Sequence, residues 1–94
     1  MIRDDLKRAQ IDAMKAGDKP RLAAVRLILA KVKDRDIELR TGDAPADDDA
    51  NLIDILQKMG KQRREAITMF EAGGRTELAE QEKSELAVIN EFLP

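Results

Sequence analysis

The segment from Leu52 to Gly74 reads LIDILQKMGKQRREAITMFEAGG. Leu52, Ile55, Leu56 and Met59, then Ala66, Ile67 and Phe70, recur at the three- and four-residue spacing that puts side chains on one face of an α-helix. Gly73-Gly74 stops the pattern, because glycine reaches the left-handed conformation that closes a helix. Upstream, Asp47, Asp48 and Asp49 place carboxylates at the positive end of the helix dipole, and Asp48 is read as its N-cap. A helix over about 48–72 follows. Its single apolar stripe must be buried against other elements, and the rest of the chain offers only helices to do this.

Beyond Gly74, Leu78, Leu86, Ile89 and Phe92 or Leu93 mark a fourth helix over about 75–93. Toward the N-terminus, Ile2, Leu6, Ala9 and Ala13 predict a first helix over about 2–16, closed by Gly17. Asp18 as N-cap and Pro20 in the first turn open a second helix over about 19–40, with Leu22, Val25, Ile28, Leu29 and Val32 inward. The Gly- and Pro-containing stretch 41–46 reads as a loop and the one candidate hinge. No period-two alternation marks a strand. The fold class is all-α: a small four-helix antiparallel bundle, since short connections join antiparallel neighbours. Residues 1–94 form one domain, too short for two cores.

Composition sets limits on chemistry. The 94 residues include no Cys, His, Trp or Tyr. This excludes disulfides, thiol nucleophiles and His-based catalysis or metal ligation. Ile, Leu, Val, Met and Phe total 27, of which two are aromatic, so aliphatic side chains fill a modest core. No segment approaches the length of about 20 apolar residues needed to span a bilayer. The N-terminus lacks the apolar h-region of a secretory signal, and the expectation is a soluble cytoplasmic protein. Residues 1–40 carry 11 Lys and Arg against 7 Asp and Glu, while residues 41–94 carry 6 against 12. The halves attract each other in the fold, or the basic half offers a mild attraction for phosphate.

The stripe of the third helix breaks between Met59 and Ala66, where Gln62 and Arg63 fall inward. The fourth helix breaks too, at Glu82 and Glu85. Folding the two helices about Gly73-Gly74 sets Arg63 opposite Glu85. One reading is an ion pair that fixes the register of the hairpin. The other is an anion or tRNA-contacting site on Lys61, Arg63 and Arg64, joined by Arg26, which interrupts the apolar run Val25–Ile28. Gly60 either admits the second helix or is a tolerated accident. Asp47-Asp48-Asp49 suits capping better than metal binding, because consecutive side chains diverge and the EF-hand spacing is absent. Ser84, the one serine, sits next to Lys83, but neighbours in sequence on a helix do not face each other, so a nucleophilic role is not favoured. No cofactor or metal is implied.

Several stretches together resemble a known family. Gln57–Ile67 with its KQRRE block, Phe70-Glu71-Ala72-Gly73, Arg75–Ala79, and Glu82 through Phe92-Leu93-Pro94 are similar to YqeY-like proteins, of the GatB/YqeY superfamily. Ala13-Met14-Lys15 and Leu22 to Leu27 fit the N-terminal part. The resemblance implies that this chain is the N-terminal helical domain. It implies that the second helical domain, similar to the tail of the GatB subunit of glutamine-dependent aminoacyl-tRNA amidotransferase, is absent here. The implied function is a non-catalytic helical adaptor near tRNA or an aminoacyl-tRNA-related complex. The alternatives are an accessory part of a carbon–nitrogen ligase with glutamine as amide donor, and a protein-interaction module. The resemblance carries no catalytic residues onto this chain.

Overall fold

A computed structural model describes residues 1–40, 42 and 47–94. Four helices occupy it: α1 (Ile2–Ala16), α2 (Lys19–Leu39), α3 (Asp48–Ala72) and α4 (Thr76–Glu91), with no strand among the described residues. The loop and hinge read at 41–46 lie, apart from Gly42, outside the described residues.

Local chemistry marks the turn between α1 and α2, the start of α3 and the turn between α3 and α4. Gly17 adopts φ 67° and closes α1, while the Asp18 N–H donates to the Ala13 carbonyl at 3.0 Å. The Asp18 carboxylate then caps α2, accepting the Arg21 N–H at 3.1 Å. At α3 the cap is Asp47 rather than Asp48. Asp47 has the extended backbone a cap requires, and its Oδ1 accepts the Ala50 N–H at 3.2 Å. Asp48 is already helical, and its carboxylate is held by Arg3. Between α3 and α4 the left-handed residue is Gly74, at φ 72°, and the Arg75 N–H reaches back to the Phe70 carbonyl at 2.8 Å. Helix α4 starts at Thr76 and stops at Glu91. Phe92 and Leu93 follow as half-buried, non-helical cover on the core.

The core comprises Leu6, Ile28, Val32, Leu52, Ile55, Leu56, Met59 and Ile89. It is the meeting line of all four stripes, with α1–α2 forming one hairpin and α3–α4 the other. Helix α2 touches the other three, and α3 and α4 share the most extensive interface. The α3–α4 hairpin extends past its cover. From Lys61 to Val88 only Ala79 is buried. Leu78, read as inward, is 39% exposed. Gly60 faces α4, not α2: a Cβ there would lie 3.7 Å from Leu86 and 4.0 Å from Ile89.

Polar clamps tie the ends together. The Arg3 guanidinium donates to both carboxylate oxygens of Asp36 and both of Asp48 at 2.9–3.0 Å, joining α1 to the end of α2 and the start of α3. The Ile2 N–H adds a bond to Asp49 at 3.0 Å. Arg35 links α2 to α3 through Asn51 and Asp54, both at 3.0 Å. The acidic triplet thus meets three different partners.

Candidate functional site

Arg63 projects from α3 toward two carboxylates of α4. Glu82 and Glu85, three residues apart, share a helix face. Arg63 Nε donates to Glu85 Oε2 at 2.9 Å and lies 3.4 Å from Glu82 Oε2. The three side chains retain 17, 22 and 19% exposure for Arg63, Glu82 and Glu85, so one half-buried guanidinium serves two half-buried carboxylates. Burial, reinforced by the neighbouring charge of Glu85, pushes the Glu82 carboxyl above its ordinary value. Arg63 opposes this only in part.

Glu85 also forms one wall of a groove of about 480 Å³ between the start of α2 and the middle of α4. Pro20, Ala23 and Ala24 line the α2 side and Val88 the α4 side. The small side chains of α2 keep the groove open. Gln81, Ser84 and Glu85 supply polar groups from α4, Arg21 from α2 and Asp18 from the cap that precedes it. Arg21 is held by Glu91. Ser84 and Gln81 make no side-chain hydrogen bond to another described residue. A mostly apolar groove with a few convergent polar groups is the usual form of a ligand or peptide site.

The four cations singled out in the sequence divide. Arg63 is committed to α4. Arg26 on α2, and Lys61 and Arg64 on α3, are exposed and form no ion pair with a described residue. Arg64 lies over Gly60, its Nη1 3.3 Å from where a Cβ would stand. Gln62 is exposed, beside a smaller cleft of about 230 Å³ between α2 and α3. The sequence reasoning missed the groove. Its signal was a second α4 stripe, Gln81, Ser84 and Val88 at i, i+3 and i+7, facing Pro20, Ala23 and Ala24.

Two clamped helical hairpins around an aliphatic core, with one Arg–Glu centre inside the longer hairpin, define a helical bundle domain with a lateral groove. The chain belongs to the YqeY-like protein family, whose model matches residues 3–94. It is similar to proteins named "Altered inheritance of mitochondria protein 41, mitochondrial". The Candida glabrata protein is 35% identical over 98% of this chain and 47% of its own length. The Eremothecium gossypii protein is 36% identical over 98% and 46%. The Saccharomyces cerevisiae S288c protein is 30% identical over 99% and 46%. The chain therefore spans about half the length of the curated relatives it matches.

These names overturn the cytoplasmic expectation, because the relatives are mitochondrial proteins. That expectation rested on the missing apolar h-region, which bears on secretion alone. Mitochondrial transit peptides are amphipathic and Arg-rich and have no such region.

Proposed function

We propose that this domain is a non-catalytic helical adaptor that holds a partner protein in translation-linked amide transfer. The observation carrying the reading is the α2–α4 groove, with its small apolar lining and its uncommitted Ser84 and Gln81 side chains. The Arg21–Glu91 bond supports it, because it ties α2 to α4 beside the groove before any partner arrives. The resemblance to proteins with a GatB-like tail supplies the translation setting, and an accessory role in a glutamine-dependent carbon–nitrogen ligase would use the same surface.

A second reading is direct tRNA contact. It is favoured by the exposed Arg26, Lys61 and Arg64, which have no carboxylate partner among the described residues. A photo-cross-linking side chain at Ser84, with one at exposed Lys33 as control, separates the two. The adaptor reading expects capture of a translation-associated protein from Ser84 only, surviving nuclease. Capture that nuclease abolishes, or equal capture from Lys33, would overturn it.

A further inference from the structure

We propose that the α2–α4 groove receives a basic segment of a partner protein, with its apolar side chains against Ala23, Ala24 and Val88 and a Lys or Arg directed at Glu85 and Asp18. This rests on the adaptor reading of the same groove and specifies the chemistry of the occupant.

The argument is charge and hydrogen-bond complementarity. Asp18, Glu82, Glu85 and Glu91 stand in or beside the groove against two guanidiniums, Arg21 and Arg63. Both guanidiniums are already engaged: Arg21 by Glu91, and Arg63 by Glu82 and Glu85 together. Among the described residues, Arg21 is the one cation lining the groove. The wall therefore carries surplus negative charge, part of it half-buried, where water screens it less than at an open surface. The hydrogen-bonding groups point the same way. Arg63 engages only Oε2 of Glu85, and the Arg21 N–H only Oδ1 of Asp18. The remaining carboxylate oxygens only accept, and the Ser84 hydroxyl and the Gln81 carbonyl, beside the donors those two side chains also carry, accept as well. An ammonium brings three donors and a guanidinium five, with no acceptor to clash. An acidic segment would bring like charge to the same wall, which disfavours it.

The test is a titration of the ¹⁵N-labelled chain, followed by amide shifts, with two capped amphipathic peptides. One is built of Ala, Leu and Lys; the other is its counterpart with every Lys replaced by Glu. The Lys peptide should move the amides around Ala23, Ala24, Ser84 and Val88, and the Glu peptide should not. Ser84→Lys adds a cation to the wall at an exposed position and should weaken the Lys peptide by about tenfold. Gln81→Lys repeats that test if the first variant folds poorly. Equal binding of both peptides at these amides, or no loss in both Lys variants, would overturn the basic occupant while leaving the groove as a docking surface. No movement of groove amides with either peptide would overturn both this proposal and the adaptor reading.

Discussion

Arg63 Nε lies 2.9 Å from Glu85 Oε2 across the α3–α4 interface, at the point where the buried stripe of α3 ends. Their side chains retain 17 and 19% exposure, so removing one leaves the other poorly solvated. Arg63→Met and Glu85→Leu should each cost about 2 kcal/mol, and the double variant less than their sum. Urea unfolding of the four-member cycle measures this. Additive effects would mean that the pair contributes nothing as a pair.

Glu82 stands 3.4 Å from the same guanidinium. Its carboxyl is raised by burial and by the charge of Glu85, so its ionised form is penalised in the folded state. That penalty is absent below the ordinary glutamate value, about 4.3, and grows as pH rises through the folded value. Glu82→Gln should therefore raise the thermal midpoint at neutral pH, with the gain fading below about pH 4. A lower midpoint at pH 7 would refute this.

Gly60→Ala should stabilise the protein. The added Cβ makes ordinary contact with Leu86 and Ile89 and displaces only the far end of Arg64. Helix propensity favours Ala by about 1 kcal/mol, so a gain of about 0.5–1 kcal/mol in denaturant unfolding is expected. A loss would show that the α3–α4 approach cannot relax.

The Arg3 clamp gives an acid-dependent contribution. Hydrogen bonds from Arg3 hold the Asp36 and Asp48 carboxyls below their ordinary values. Groups depressed in this way stabilise the fold above the unfolded value, about 3.9, and lose that effect as pH falls through the folded value. Arg3→Met should destabilise at pH 7, and the gap to the parent chain should narrow below about pH 4. A gap that stays constant with pH would place the effect in packing alone.

Direct tRNA binding by this chain should be weak and fall steeply with salt, since net charge is −2. If Lys61 and Arg64 touch phosphate, replacing either with Ala lowers the salt slope by about 1. Filter binding over a salt series reads both outcomes. Tight, salt-insensitive binding would contradict the charge argument.

The helices were legible because their signals are local. Gly17, Asp18 with Pro20, and Gly73-Gly74 each act within one turn of chain, and the stripes repeat at helical period. The Arg63–Glu85 juxtaposition was also within reach, because two polar breaks at matching distances from one turn are sequence features. The Asp47 cap was not, because choosing among three adjacent aspartates depends on Arg3 lying 45 residues away from Asp48. The groove was not legible either. It is a space between two elements distant in sequence, set by how closely α2 approaches α4, and small residues such as Ala23 and Ala24 read equally well as close-packing positions.

The uncovered outer half of the α3–α4 hairpin has a consequence for local opening. Between Gly60 and Ile89 only Ala79 is buried, so backbone amides there are guarded mainly by the partner helix of the same hairpin. Local unfolding free energy follows such differences in burial. Hydrogen exchange should therefore divide α3 in two: slow from Leu52 to Gly60, at rates set by global unfolding, and faster from Ala66 to Phe70, through a partial opening that leaves the core closed. Arg63 stands at the border between the two zones, so weakening its bond to α4 would move that border inward before it lowers the stability of the whole.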